Sequence, residues 1–300
     1  MIKVISIVVT YNAMQWIDRC LSSLLHSGKE ADVFVYDNCS TDGTREYIKA
    51  QYPEVILKGG DKNLGFAKSN NIGIRYALDN GYDYVFLLNQ DAWVEENTLE
   101  ELVRTFEDNE NVGIASPVHL TGDGNSLDFY FASKVPLSYV QDLYSGNVQK
   151  YYCVSESGAA AWMLSRKCIE TVGGFDTDLF VHYGEDDNYC QRVLYHGFRI
   201  IFNTRCNMFH DRQNRGDDSN YSGRQIWNKQ NWLLYEKSQW ANIQNGIKLN
   251  SITVASIFRI TINLLKLDIK NAKVQRERLR VLRIVRKSRQ ISKTRGAHWL

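Results

Sequence analysis

The sequence predicts an α/β fold with a mainly parallel central sheet, followed by a helical C-terminal extension. Short apolar runs alternate with stretches of helical spacing over most of the chain. The runs are continuous rather than alternating, as in strands covered on both faces. From Gln225 onward the pattern is helical, with no strand signal between. Strand–helix alternation at this interval is the mark of βαβ units. The 300 residues, 44% hydrophobic and 23% charged, have the composition of a globular protein and the length for a sizeable core.

The first strand is the Val/Ile run Val4–Val9, and Met14–Leu25 follows with helical spacing at Trp16, Ile17, Cys20, Leu21 and Leu24. Val33–Tyr36 is the second strand, leading into the polar turn Asp37–Gly43. There Thr41 or Asp42 can cap a helix running to Tyr52, ahead of Pro53. Val55–Leu57 is a third strand, and a helix runs from Gly65 to about Leu78, stopped by Asn80-Gly81. Tyr84–Leu88, a helix over Thr98–Phe106 and a strand over Val112–Ala115 come next. Between Thr121 and Ser157 the pattern loosens into aromatic, strand-like pieces such as Leu127–Ala132. Gly158–Leu164, a helix from about Asp187 to Tyr195 and a strand over Arg199–Phe202 complete a body of residues 1–224, with 225–300 as the extension.

Charge is unevenly spread. Arg259–Arg295 holds 13 Lys/Arg against Asp268 and Glu277, a local +11 in a chain of net +2, so the rest carries −9. Ile252–Leu265 is apolar but interrupted by Arg259 and Asn263, and falls short of the about 20 residues that a span requires. Beyond it, Val274, Leu279, Leu282 and Ile284–Val285 interleave with arginines. That pattern suits a helix lying on an anionic membrane face, or equally one packed on the body. The six scattered cysteines form no CxxC pair and read as reduced thiols, and Met1–Thr10 does not read as a signal peptide, so a cytoplasmic chain, peripheral on the inner face of the membrane, is expected. No GxGxxG follows a strand, and GxxxxGK[ST], HExxH and GxSxG are missing, against a dehydrogenase, P-loop NTPase, zincin or α/β-hydrolase. No nucleic-acid module precedes the basic tail.

In parallel sheets, ligands gather outside the carboxyl ends of the strands. Thr10–Asn12, Asp37–Gly43 and Asn89–Asp91 all fall at that edge. Phosphate there can be met by Mg²⁺ or Mn²⁺ held on carboxylates such as Asp91. Alone, Asp91 or Asp37 reads more readily as a turn former. Glu185, Asp186 and Asp187 lie beside His182 and Tyr183, ahead of a helical stretch. Such acids gain from the helix dipole, but three together repel, and repulsion raises at least one pKa toward that of a general base. His210 closes an apolar run.

Several pieces in order resemble the family 2 glycosyltransferases, and among them the rhamnosyltransferase-like members. They are Val8-Val9-Thr10-Tyr11-Asn12, Asp37-Asn38-Cys39-Ser40-Thr41-Asp42-Gly43-Thr44, Asn63-Leu64-Gly65-Phe66-Ala67 with Asn70-Asn71-Ile72-Gly73, and Leu87-Leu88-Asn89-Gln90-Asp91. Gly158-Ala159-Ala160, Gly173-Gly174-Phe175-Asp176 and Glu185-Asp186 with Cys190 and Arg192 complete a match over roughly residues 3–215. The resemblance implies the GT-A type, Rossmann-like nucleotide-diphospho-sugar transferase fold and metal-dependent, inverting transfer. It places Thr10, Asn12, Asp37, Asn63 and Gln90 at the nucleotide-sugar donor. Asp91 would hold Mg²⁺ or Mn²⁺, completed by His210, and Asp186 would be the general base. Trp162 and Glu185 would contact or support the acceptor, a glycan or lipid-linked glycan in cell-surface polysaccharide synthesis. Two positions depart from the pattern: Asn89 stands for the first acid of the DxD-like element, and Asn188 where an acid often follows Glu185-Asp186. dTDP-rhamnose is the first choice of donor, with UDP-hexoses and UDP-galactofuranose open. The rival expectation is a catalytically idle fold that binds nucleotide sugars and serves as an interaction protein.

Overall fold

Residues 2–180, 183–214 and 232–300 are described by the computed structural model. His182, the expected helix start at Gln225 and the boundary at 224/225 lie outside them. The parallel half of the sheet runs β3 (Ile56–Gly59), β2 (Asp32–Asp37), β1 (Val4–Thr10), β4 (Tyr84–Asn89). In register, Thr10 pairs with Asp37 and Val9 with Asn89, so the polar turns that follow these strands emerge together. Beyond β4 the sheet is mixed. β8 (Ala161–Ser165) is antiparallel to β4 and to β6 (Val112–Thr121), whereas β6 and β9 (Arg199–His210) are parallel. β5 (Ala92–Val94) and β7 (Tyr151–Val154) both pair antiparallel with β9.

The continuous apolar runs arise because both sheet faces are covered. Val4, Val8, Val33, Val35, Phe86 and Leu88 pack toward α1 (Ile17–Leu25), α2 (Thr44–Gln51) and α4 (Thr98–Asp108). Their strand neighbours Ile5, Ile7, Phe34, Tyr36, Val85 and Leu87 pack toward α3 (Phe66–Asp79), α7 (Arg166–Val172) and α8 (Glu185–Tyr195). Fully burying each Ile or Leu contributes about 1.5–3 kcal/mol, and the period of two sends alternate residues to opposite layers. α1 starts at Ile17, three residues later than the spacing suggests, because Ala13 and Met14 donate their N–H groups to Thr44 Oγ1 (2.8 Å) and Asp42 Oδ2 (3.1 Å).

The expected strand-like piece Leu127–Ala132 is a correction. Leu127 makes one bridge to Leu120, and the chain then turns into α5 (Phe129–Ala132), ahead of α6 (Leu137–Ser145). Asp128 causes the switch: its carboxylate accepts from the N–H groups of Tyr130 and Phe131, capping the first turn.

Three further helices, α9 (Trp232–Ala241), α10 (Leu249–Leu265) and α11 (Ile269–Ser292), follow. The apolar stripe of α11 faces inward: Val281, Leu282 and Val285 are buried with Leu179, Phe180 and Trp240. Helix does not continue to the end, as the pattern suggested. After Ser292 the chain folds back over α3 and α7, where Gly174 N–H donates to His298 O (2.8 Å) and Asn71 Nδ2 to Trp299 O (3.0 Å). Leu300 joins the core layer of α3 and α7. Among the described residues no helix is long and apolar enough to cross a membrane.

Candidate active site

Two loops meet at the ends of β1 and β2. Asp37 is buried and accepts from Thr10 Oγ1 (3.0 Å), Ser40 N–H (3.1 Å) and Ser40 Oγ (2.5 Å). Asn12 adopts a left-handed backbone (φ 51°), which Asn tolerates better than most residues. Its side-chain oxygen accepts from Thr41 N–H at 2.8 Å, tying the β1 turn to the β2 turn. Asn38 Nδ2 donates to Asn63 Oδ1 (2.7 Å), and Asn38 Oδ1 accepts from Leu64 N–H (2.7 Å), joining the third loop. Gln90 clamps Tyr11, accepting from its N–H (2.6 Å) and donating to its carbonyl (3.1 Å). Thr10 and Asp37 thus form a buried floor, with Tyr11, Asn12 and Asn63 exposed on the rim. A rim of amides over a rigid polar floor suits a flat heterocycle and sugar hydroxyls.

Asp91 and His210 come from remote parts of the chain. Antiparallel pairing sets Ala92 opposite His210, and Asp211 N–H donates to Asp91 O (2.9 Å), so the residue before β5 meets the last residue of β9. Asp91 Oδ1 lies 3.4 Å from His210 Nε2, and both side chains are buried. Behind the imidazole, Asp128 Oδ2 is 3.5 Å from His210 Nδ1 and 2.8 Å from Arg212 Nε. Arg212 Nε is also 3.1 Å from Nδ1, but the carboxylate is its stronger acceptor. Nδ1 thus faces Asp128 and Arg212 while Nε2 faces Asp91, and a proton on Nδ1 shared with Asp128 would leave the Nε2 lone pair for a metal. Burial would raise the Asp128 pKa, but His210 and the Arg212 charge outweigh it and hold the carboxyl well below the usual range.

Among the described residues no group of three or more His, Cys, Asp or Glu side chains is arranged to hold a metal. Two hard or borderline donors fit Mg²⁺ or Mn²⁺ nonetheless, since such ions commonly keep one or two protein ligands and take the rest from phosphate and water. Asn89, a partner of the imidazole (Nδ2 to Nε2, 3.4 Å), adds no charge.

The acids open α8. Gly184, just before it, has φ 88°, a left-handed turn that favours glycine. Asp186 is half-buried, and desolvation, then the neighbouring Asp187 and Glu185 carboxylates, push its pKa well above the carboxylate range. Asp187 is raised as well, chiefly by desolvation, although Lys134 and a hydrogen bond from Tyr130 Oη (3.0 Å) oppose the shift. Gly158 lets the Tyr130 ring approach: a Cβ there would lie 3.0 Å from its edge. Trp162 is fully buried and donates to Ser157 Oγ (3.1 Å), so of contact and support its burial allows support. Glu185 is buried too.

The sequence reading missed Asp128, Tyr130 and Arg212. One short helix carries the first two, with Asp128 behind the Asp91–His210 pair and Tyr130 beside the α8 acids. An Asp ahead of aromatics was the only sequence trace of it.

Solved structures of similar fold are GT-A glycosyltransferases. GalNAc-T7 with UDP, GalNAc and Mn²⁺ superposes with a TM-score of 0.57 at 15% identity, over 70% of this chain and 44% of that one. The mannosyltransferase PcManGT from Pyrobaculum calidifontis, in complex with GDP-Man and Mn²⁺, gives 0.55 at 17% identity, over 97% of this chain and 86% of that one. The architecture is therefore that of the GT-A glycosyltransferases. The family model "Glycosyl transferase family 2" matches residues 6–170, more than half of the chain. The chain belongs to that family. A relative in Shigella flexneri, dTDP-rhamnosyl transferase RfbF, is 29% identical over 66% of this chain, and the match spans 65% of that relative's length.

Proposed function

We propose that this protein is an inverting glycosyltransferase that moves a sugar from a nucleoside diphosphate to a hydroxyl of a glycan or lipid-linked glycan, in cell-surface polysaccharide synthesis. The observation that carries the reading is the buried Asp91–His210 pair, 3.4 Å apart at the strand ends beside the β1–β2 loops. A divalent cation, Mg²⁺ or Mn²⁺, held by this pair would supply positive charge to the departing diphosphate, where negative charge develops. Asp128 fixes the imidazole in the tautomer that the pair needs. Thr10, Asn12, Asp37 and Asn63 form or brace the surface for base and ribose, and Gln90 holds that surface to the strand that leads to Asp91.

Asp186 accepts the proton of the acceptor hydroxyl. The acceptor oxygen then bonds to the anomeric carbon as the bond from that carbon to the diphosphate oxygen breaks on the opposite face. A raised pKa suits the step, because a base with affinity for protons near neutrality takes one more readily than an ordinary carboxylate. The leaving diphosphate needs no protein acid, unlike the alcohol released by a glycosidase.

dTDP-rhamnose is the first donor to test, supported by the Shigella flexneri relative. UDP-hexoses and UDP-galactofuranose complete the panel. With Mg²⁺ or Mn²⁺ present, one donor is expected to raise the melting temperature and to release nucleoside diphosphate. Stabilisation without release, even with glycan acceptors supplied, would instead identify an idle nucleotide-sugar-binding protein. Neither effect with any donor overturns both readings.

A further inference from the structure

The apolar stripe of α11 is spent on the body of the protein, but α10 presents a second one outward. Val254, Ile257, Phe258 and Leu265 follow one another at helical spacing on its exposed side, and Leu267 and Ile269 continue the patch around the turn into α11. Phe258 is 65% exposed, Leu265 81% and Leu267 85%. Six large apolar side chains in one run exceed the scattered exposure normal for a soluble surface, where contiguous patches beyond a few hundred Å² mark interaction sites. Arg259, Lys266, Lys270 and Lys273, all exposed, border the patch. The acid at the turn, Asp268, is engaged as the cap of α11, accepting from Asn271 N–H at 3.1 Å.

We propose that the outer face of α10 and the α10–α11 turn form a docking surface for an anionic lipid bilayer. Charge favours lipid over a second copy of this chain. The border is cationic, so face-to-face pairing of two copies would bring like charges together, whereas anionic headgroups complement it. At 17 residues α10 is about 25 Å long, short of the about 30 Å hydrocarbon thickness, so it lies along the interface with its apolar side down and its cations at headgroup level. The hairpin is also rigidly seated: Arg278 pairs with Glu236, and α11 packs through Leu282 and Val285 onto Leu179 and Phe180. A lipid-linked acceptor carried in that bilayer would be the substrate class such a surface serves. The docking surface itself does not depend on the donor reading.

The experiment is co-sedimentation of the full chain with vesicles, pure phosphatidylcholine against phosphatidylcholine with phosphatidylglycerol. Binding is expected only to the anionic vesicles and is expected to weaken with salt. Phe258→Ser with Leu265→Ser should lower the bound fraction about tenfold or more, with the thermal melt and soluble nucleoside diphosphate release unchanged. A comparison variant with Leu137→Ser and Tyr144→Ser, which trims exposed apolar side chains of α6, should bind like the parent. Three results would overturn the proposal: no binding to anionic vesicles, undiminished binding of the α10 variant, or an equal loss in the α6 variant. A dimer in sedimentation velocity that the α10 substitutions dissolve, without vesicle binding, would assign the face to self-association. Loss of donor turnover alone would count against the proposed function and leave the surface standing.

Discussion

Asp186 and Asp187 are neighbours in the first turn of α8, yet their surroundings differ. Asp187 has Tyr130 and Lys134 to offset burial, whereas Asp186 has two acids beside it. Replacing Asp186 by Asn should leave donor binding intact and lower transfer about 10²–10⁴-fold, measured as kcat against the donor dissociation constant. The pH dependence has a definite sign. Asp186 must be ionised to take a proton, and burial and repulsion disfavour ionisation. Activity should therefore rise with pH on the neutral side of the ordinary carboxylate range. Asp187→Asn removes one repelling charge and should move that limb of the kcat/KM profile to lower pH; an unmoved limb would mean the repulsion is not felt. Asp128→Asn should weaken Mn²⁺ binding, by calorimetry, about 10–100-fold, the usual effect of losing the carboxylate behind a metal-bound imidazole. Asp91 and Asp186 were legible because each opens or follows a recognisable element. Asp128 was not, because its role depends on β9 bringing His210 from 82 positions downstream.

At the scale of elements, β1, β2, β3 and β4 were legible to within a residue or two, whereas β6 and β9 run six and eight residues past the expected ends at Ala115 and Phe202, because Pro117, His119, Asn203 and Arg205 interrupt their apolar runs. β1, β2 and β4 show nearly continuous apolar runs because both faces are covered, with the small Ser6 the one polar side chain inside them. α5 was not legible: four residues cannot show a helical period, and Phe129, Tyr130 and Phe131 carry strand propensity. The Asp128 cap overrides that propensity with two hydrogen bonds. α8 offers a test of how the C-terminal residues are held. Arg192 is fully buried on it, donating to Val172 O (2.8 Å), Gly174 O (2.7 Å) and Asn188 Oδ1 (3.0 Å), with its guanidinium 4.8 Å from the Trp299 ring centroid. Arg192→Ala orphans two buried carbonyls and removes the stacking partner of Trp299. It should destabilise by about 2–5 kcal/mol in chemical denaturation, and free the 296–300 segment to hydrogen exchange at lower denaturant.

At the scale of the molecule, the C-terminal quarter was legible as largely helical and as basic, but not in its orientation. A stripe of apolar residues on α11 announces an amphipathic helix without saying what it faces. Leu179, Phe180 and Trp240 occupy that face, which decides between body and solvent only once the chain is folded. The less periodic α10 reads as an interrupted apolar run too short to span a bilayer, yet it carries the exposed patch. Its interruptions, Arg259 and Asn263, suit a helix that must lie at a surface rather than cross one.

The clamp of Gln90 on the backbone of Tyr11 has a thermodynamic corollary. Gln90 immediately precedes Asp91, so the loop that would meet the nucleoside and the strand end that would meet the cation form one mechanical unit. Whatever orders one should lower the entropic cost of ordering the other, and linkage requires the benefit to be reciprocal. An unphosphorylated nucleoside and Mn²⁺ share no bond, so cooperativity between them can travel only through the protein. Mn²⁺ is expected to tighten nucleoside binding in the parent chain, and Gln90→Ala to bring the two dissociation constants, with and without Mn²⁺, together. Independent binding in the parent would show that the two halves of the donor site assemble separately.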